Sequence, residues 1–466
     1  MTRPGTPEQP LRVAIIGSGP AAFYAADHLL RQKDVTVQVD MLERLPVPYG
    51  LVRYGVAPDH LKIKSVIAMY EKTAALPGFR FFGNVEYGEH LSLDDLRRRF
   101  HAIVFCTGAP TDRRMNIPGE DMAGSHSATE FVGWYNGHPH FRDRSFDLTQ
   151  ERVAVVGAGN VAIDVARILC LGPDELDETD MASYAVDALR ESRVREVWLL
   201  GRRGPVQSAF TTNEVRELGE MKHADVIVRP DEMQLDPISA AELKASGRPA
   251  MQQKVDLFTG FSAKAAEGKP RRLNVRFFVS PVEILDGGNG DVSGLKIVRN
   301  RLAEGANGSV AEPTGEFETL PVGLVFRSVG YRGVPLVGLP FDDRKGTLPN
   351  EKGRVMDPAT GSAVTGVYAS GWIKRGPSGV IGNNKADSVE TINTLLADLS
   401  AGALNAAVDT DATTFANLVR ERRDRCVSFE DWKRLDAIEL ERGKAAGRPR
   451  HKLCTAEEIL AALDGT

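Results

Sequence analysis

Cysteine is scarce in this 466-residue chain. Cys106, Cys170, Cys426 and Cys454 stand far apart, and none forms a Cys-x-x-Cys pair. That spacing argues against a structural zinc site, an iron–sulfur cluster or a dithiol centre within the chain. No metal ligand set is expected. Long apolar runs are also missing, and nothing approaches the roughly 20 residues that span a bilayer. Residues 1–10 lack the charged start and apolar core of a secretory signal, and are too short and proline-rich for a transit peptide. These absences together lead us to expect a cytoplasmic protein with reduced cysteines and no membrane span. A strong charge imbalance is absent too. The net charge of −5 argues against a nucleic-acid binder, which would be strongly basic.

What remains is ordinary globular composition, 42% hydrophobic and 26% charged, in a chain long enough for two or three domains of about 100–200 residues each. Within it one pattern occurs twice. Residues 11–16 form an apolar run ending in Gly17, a helical pattern follows from 21 to 30, and a second strand is expected over 35–42. The pattern restarts at Arg152, with a strand over 153–156, a helix over 161–171 and the next strand over 196–200. Between the repeats lie a Pro- and Gly-rich stretch (46–58), an expected helix (63–74) and strands over 79–84 and 102–106. Residues 176–193 read as an inserted polar helical segment. Residues 236–271 are polar with few strand signals. Segments 276–285, 294–300 and 324–329 look like antiparallel or edge strands. A strand is expected over 367–373, a helix over 386–399, and helices after Thr413. Thr455 with Glu458 fits a capping box.

The first turn reads Gly17-Ser18-Gly19-Pro20-Ala21-Ala22, a G-x-G-x-x-A sequence directly after a strand. The first glycine permits the tight turn, the second lets backbone approach a diphosphate, and the small last residue lets helix and strand pack closely. The diphosphate then meets the free N–H groups and positive dipole of a helix N-terminus. Glu43 closes the following strand. A carboxylate there accepts hydrogen bonds from both ribose hydroxyls and repels a 2′-phosphate, so this loop suits FAD or NAD. The second turn, Gly157-Ala158-Gly159-Asn160-Val161-Ala162, has the same form, but its next strand runs into Gly201-Arg202-Arg203. Two guanidinium groups at the adenosine ribose suit a 2′-phosphate and hence NADP(H). Two further loops stand out. Residues 102–106 end in Thr107-Gly108, a turn resembling the hand-over between the two nucleotide domains of flavoproteins. Gly376 to Gly382 follows Gly371-Trp372 and opens a helix, so its backbone N–H groups suit negative charge at a flavin edge.

With these residues in view, the chain resembles the NADPH–ferredoxin reductases of the adrenodoxin-reductase type, with actinobacterial members most similar. The most specific pieces are Pro48-Tyr49-Gly50-Leu51-Val52-Arg53-Tyr54-Gly55-Val56-Ala57-Pro58-Asp59-His60, Gly201-Arg202-Arg203-Gly204-Pro205 and Trp372-Ile373-Lys374-Arg375-Gly376-Pro377. The resemblance covers nearly the whole chain. It implies an α/β fold with two Rossmann-like dinucleotide-binding domains, the FAD domain discontinuous (1–110 and 331–466) and the NADPH domain (111–330) inserted in it. It implies FAD contacts at Ala21, Glu43, Leu51, Val85, Trp372 and the backbone of Gly379, Val380 and Ile381. It implies NADP contacts at Arg113, at Ala158, Gly159, Asn160 and Val161, and at Arg202, Arg203 and Glu214, with Gly379 near the nicotinamide. Ala21 stands where some relatives have serine, and Tyr49 where relatives have tryptophan.

His60 and Glu214 match a pair that lies near nicotinamide and flavin in the family. Histidine there tunes the local field or relays protons, or else orders its loop by hydrogen bonding; glutamate holds the arginine loop or a nicotinamide group. The implied activity is hydride transfer from NADPH to FAD, then single-electron delivery to a ferredoxin-type iron–sulfur protein. Alternatives are an NADPH-dependent electron-input subunit of a larger reductase and a non-catalytic NADPH-binding protein. An acidic ferredoxin calls for a basic docking face, for which Lys264, Lys269, Arg271, Arg272, Lys374 and Arg375 are candidates.

Overall fold

Every residue of Leu11–Ile16 is buried. A strand covered on both faces belongs inside a parallel sheet, and that is where this one lies. In the computed structural model, which describes residues 4–306 and 308–465, it is the third strand from one edge of a seven-stranded sheet. The order is Asn350–Glu351, Arg354–Met356, Ala363–Ala369, Ala102–Phe105, Leu11–Ile16, Val37–Glu43 and Phe79–Gly83. The last five are parallel, and the first two add an antiparallel hairpin at the edge. Helices Pro20–Leu30 and Asn383–Ala401 cover one face through Phe23, Leu29, Ile392 and Leu395. Leu96, Phe100, Phe415 and Val419 fill the other. Met1 to Arg3 of the N-terminal stretch, Asn307 and Thr466 lie outside the described residues.

The chain forms two compact units. One comprises Met1–Thr111, Asn136–Pro139 and Tyr331–Thr466 and holds the seven-stranded sheet. The other comprises Asp112–Tyr135 and His140–Gly330. Its six strands are all parallel, in the order Ser125–Ser127, Leu324–Arg327, Arg152–Val156, Glu196–Leu200, Arg271–Arg276 and Ala224–Val228. A three-stranded antiparallel sheet, Val279–Asp286, Val292–Ala303 and Val310–Leu320, belongs to the same unit. Among the described residues no helix is long and apolar enough to cross a membrane.

Several local expectations change. Leu324–Arg327 is neither antiparallel nor an edge strand; it sits between two parallel neighbours. The strand expected to reach Ile373 stops at Ala369. Gly371, with φ of 76°, turns the chain, and Trp372–Arg375 is a short helix. The Pro- and Gly-rich stretch 46–58 contains the helix Leu51–Tyr54. Residues 176–193 include a helix, Ser183–Arg190, after a shorter one at Pro173–Asp177. Residues 236–271 supply helices Pro237–Ser246 and Pro249–Ala263. The capping box at Thr455 and Glu458 is present in both directions.

Candidate functional site

In the first unit the glycine turn sits between the carboxyl end of Leu11–Ile16 and the helix Pro20–Leu30. Gly17 has φ of +101°, and a Cβ there would lie 2.5 Å from the Cys106 carbonyl oxygen. Only glycine fits, for both reasons. Gly19 is different: it is the helix N-cap, with φ of −79°, and a Cβ there would meet nothing within 4 Å. No side chain caps the helix, and Pro20 occupies its first turn. The turn therefore offers open space and uncapped N–H groups to an anion. Ala21 is buried beneath Gly371, whose Cβ would fall 2.6 Å from that of Ala21. A side chain on Gly371 would push these two turns apart.

Glu43 ends Val37–Glu43 and is 8% exposed. One carboxylate oxygen accepts from Ser18 N (3.1 Å) and Ser18 Oγ (2.6 Å), and the other from Leu45 N at 3.0 Å. A carboxylate offers about four acceptor positions. Three are engaged by the protein, which leaves one for a ribose hydroxyl rather than the two expected from sequence. Val85 is buried, and its N–H donates to the Glu43 carbonyl at 2.9 Å. Leu51 opens the helix Leu51–Tyr54 and is 38% exposed, and Val380 is 53% exposed. The buried Trp372 Nε1 has no hydrogen-bond partner among the described residues. An unsatisfied buried donor costs about 1–3 kcal/mol, and an acceptor on a bound group would satisfy it. Gly379 (φ +79°) turns the loop, and Asn383 Oδ1 accepts from Val380 N at 2.8 Å. The following helix begins only at Asn383, so Ile381 remains in the loop. His60 is the N-cap residue of Leu61–Lys64, and its N–H donates to the Ala57 carbonyl at 3.0 Å.

The second unit repeats the turn. A Cβ on Gly157 would lie 2.2 Å from the Ser328 carbonyl oxygen, while one on Gly159 would meet nothing within 4 Å. Gly159 caps Asn160–Ile168 without any side-chain bond. Ala158 and Asn160 are tied down from outside the turn. The Ala158 carbonyl accepts from Ala209 N at 2.7 Å, and Asn160 Oδ1 accepts from Thr211 N at 2.9 Å. Val161 follows in the first helical turn. After Glu196–Leu200 come Arg202, exposed, and Arg203, half-buried. Arg203 donates to the Ser309 carbonyl at 3.3 Å, and Asn300 Nδ2 donates to the Arg202 carbonyl at 2.8 Å. Burial and the adjacent Arg202 pull the Arg203 guanidinium below its usual value, against the attraction of Glu242. Among the described residues neither guanidinium has a carboxylate within ion-pair distance. Two adjacent like charges that no carboxylate contacts directly fit a dianionic phosphate. Arg113 is exposed, and its N–H donates to the Gly330 carbonyl at 2.8 Å. Glu214 is buried in Thr212–Leu218, three residues after the Thr211 N-cap.

The six basic docking candidates fare differently. Lys374 is buried and bound to Asp387 (2.8 Å) and Glu390 (2.7 Å). Arg375 donates to Asn384 Oδ1 and to the Ser378 carbonyl, fixing the Gly376–Gly382 loop. Lys264 and Lys269 share Glu267, and Arg271 donates to the Leu171 carbonyl. Arg272 remains exposed.

Lys254 was not visible as a special residue. It is buried on Pro249–Ala263, donates to the Ser208 carbonyl, and burial pushes it down to about 8. Below pH 8 both folded and unfolded chains carry its proton, and the folded chain bears the desolvation cost. Between about 8 and 10.5 the folded lysine releases its proton first, so that cost disappears as pH rises. Lys254→Met should therefore be more stable than the parent at pH 7, by about 1–2 kcal/mol after the lost hydrogen bond is subtracted. Denaturant unfolding at about pH 7, 9 and 10.5 should show that margin shrinking with pH. A margin independent of pH would contradict the burial argument.

Two α/β units, each with an uncapped glycine turn at the carboxyl edge of a parallel sheet, define a two-nucleotide oxidoreductase. Residues 11–176 match the family described as pyridine nucleotide-disulphide oxidoreductase. The chain is 46% identical to "NADPH-ferredoxin reductase FprA" of Mycobacterium tuberculosis (strain ATCC 25618 / H37Rv), over 97% of this chain and 99% of that protein. It is 41% identical to the mitochondrial "NADPH:adrenodoxin oxidoreductase" of Homo sapiens, over 98% and 93%. The solved structure of M. tuberculosis FprA in complex with NADPH superposes with a TM-score of 0.92 at 45% identity, covering 98% of this chain and all of that one. The chain belongs to the NADPH–ferredoxin and adrenodoxin reductase family of FAD- and NADP(H)-dependent flavoenzymes.

Proposed function

We propose that this enzyme oxidises NADPH and passes the electrons singly to a ferredoxin-type iron–sulfur protein. The observation that carries the reading is the contrast between two turns of one geometry. The first is followed by Glu43, bonded to its own turn, and the second by the adjacent Arg202 and Arg203, two like charges side by side. When bound, FAD supplies the chemistry that takes up hydride as a pair of electrons and gives them out one at a time. The chain's own residues bind and orient. Gly17, Gly19 and Ala21 shape the diphosphate turn, and Glu43 takes one ribose hydroxyl. Leu51, Val85, Trp372 and the Gly379–Ile381 backbone enclose the flavin. Ala158, Gly159, Asn160 and Val161 receive the diphosphate of NADPH, Arg202 and Arg203 its 2′-phosphate, and Arg113 a further phosphate oxygen. His60 and Glu214 orient groups at the reacting end. We assign residues 1–110 and 331–466 to FAD and 111–330 to NADPH. What supports this division is that the compact units separate at Thr111/Asp112 and at Gly330/Tyr331. A cytoplasmic setting suits the four free cysteines.

The names of the relatives support the acceptor. The test is reduction of cytochrome c by NADPH with and without added ferredoxin, across a salt series. The purified protein should be yellow and bleach with NADPH in the absence of oxygen. Ferredoxin should raise the cytochrome rate, and salt should lower it again. A rate unchanged by ferredoxin would remove the acceptor assignment and leave the NADPH–flavin half standing.

A further inference from the structure

The helix Phe429–Ala445 lies far along the chain from either glycine turn, yet two of its side chains hold the segment that packs on the first one. Trp432 Nε1 donates to Tyr49 Oη at 3.1 Å, with the rings edge to face at 5.5 Å. Glu439 receives both Arg53 nitrogens, at 2.9 and 2.6 Å, as a bidentate pair. The Arg53 guanidinium also lies 5.2 Å from the centre of the Trp432 ring, so the two tethers interlock. All four residues are at most 5% exposed. Glu439 is itself fixed by Arg450 and by Leu453 N, each at 2.8 Å.

The tethered segment is the backing of the phosphate turn. Tyr49 N donates to the Ser18 carbonyl at 3.1 Å, and a Cβ on Gly50 would lie 3.2 Å from Gly19 Cα. Tyr49 and Gly50 both have positive φ, 84° and 49°. Tyrosine is uncommon in that region, so the conformation needs support from its surroundings. The Tyr49 ring packs against Phe23, Tyr70 and Trp432, and the Arg53–Glu439 pair holds the segment four residues on.

We propose that Trp432 and Glu439 are positioning residues for the flavin, acting through Tyr49 and Arg53 on the turn at Ser18 and Gly19. The proposal rests on the assignment of FAD to this unit. It predicts that the helix Phe429–Ala445 governs how tightly and in what geometry FAD is held, without touching it.

The test is a double-mutant cycle of Trp432→Phe and Tyr49→Phe, which removes the N–H and the hydroxyl while keeping an aromatic ring at both positions. Apoprotein of each variant is titrated with FAD, and the bound flavin is recorded by visible circular dichroism. Each single variant should weaken FAD binding by about tenfold and alter the flavin dichroism, and the double variant should be no worse than either single. Unfolding of the apoproteins serves as the control, since a purely structural role would lower their stability and leave the dichroism of the loaded protein unchanged. Glu439→Gln is the second arm. It leaves Arg53 without its counter-charge and, where it folds, should weaken FAD binding further; where it does not fold, the cycle decides. Parental FAD affinity and dichroism in both phenylalanine variants, or strictly additive losses, would overturn the proposal alone. Parent apoprotein that takes up no FAD would overturn the FAD assignment, and this inference with it.

Discussion

Replacing Arg202 and Arg203 together by alanine should abolish the preference for NADPH over NADH. Burial, and then the charge of Arg202, lower the proton affinity of Arg203, against the attraction of Glu242. A phosphate dianion relieves that repulsion and gains charge-assisted hydrogen bonds, each contributing about 1.5–3 kcal/mol. Loss of both should lower kcat/KM for NADPH by about 10²- to 10³-fold, mostly through KM, since the 2′-phosphate is remote from the hydride. The rate with NADH should barely change. Initial rates with both dinucleotides and a dye acceptor decide it. An unaltered NADPH/NADH ratio would show that the second unit recognises its ligand elsewhere. Single variants should differ. Arg203 is anchored to the Ser309 carbonyl and half-buried, so its loss also loosens the loop, whereas Arg202 is exposed and its loss removes charge alone.

The second large effect separates the two glycines of each turn. Gly157→Ala places a Cβ 2.2 Å from the Ser328 carbonyl oxygen, which is backbone and cannot swing away. Gly17→Ala does the same at 2.5 Å from the Cys106 carbonyl oxygen, with φ of +101° besides. Both should lower stability by about 3 kcal/mol or more, because strand ends must separate. Gly159→Ala and Gly19→Ala meet no protein atom within 4 Å and have negative φ, −120° and −79°. These should fold with parental stability and lose nucleotide affinity, NADPH for the first and FAD for the second. The loss should be about 100-fold or more, because a Cβ blocks the close backbone approach of the diphosphate. Thermal unfolding of the apoproteins beside binding titrations gives both readouts. Equal destabilisation at all four positions would mean that the open space at Gly19 and Gly159 is not where a diphosphate goes.

These expectations depend on features that differ in how far they can be read from the chain. The turns themselves were legible. A strand buried on both faces is a nearly continuous apolar run, so Leu11–Ile16 stands out with its ends in place. The charge that follows each turn was legible too, because a carboxylate and an arginine pair differ in charge wherever they point. The strand Val310–Leu320 was not legible, since it carries Pro313, Gly315 and glutamates and is exposed along most of its length. Its antiparallel neighbour holds it in place where local propensity would not. The docking candidate Lys374 misled for a related reason. Charge is written in the sequence, but Lys374 lies within reach of Asp387 and Glu390 only because the helix Asn383–Ala401 packs beside the turn at Gly371.

The sequence by itself determined the two glycine turns, the acid after one and the arginines after the other, because those depend on residue type at short spacing. Only the tertiary structure decided how those groups are engaged. Glu43 has one acceptor position left rather than two, since Ser18 and Leu45 fold back onto it. Lys254 is buried without a carboxylate to hold its charge. Trp432 and Glu439 reach Tyr49 and Arg53 across 383 and 386 residues of chain, a separation at which no local pattern carries information and only the packing of the core sets who meets whom.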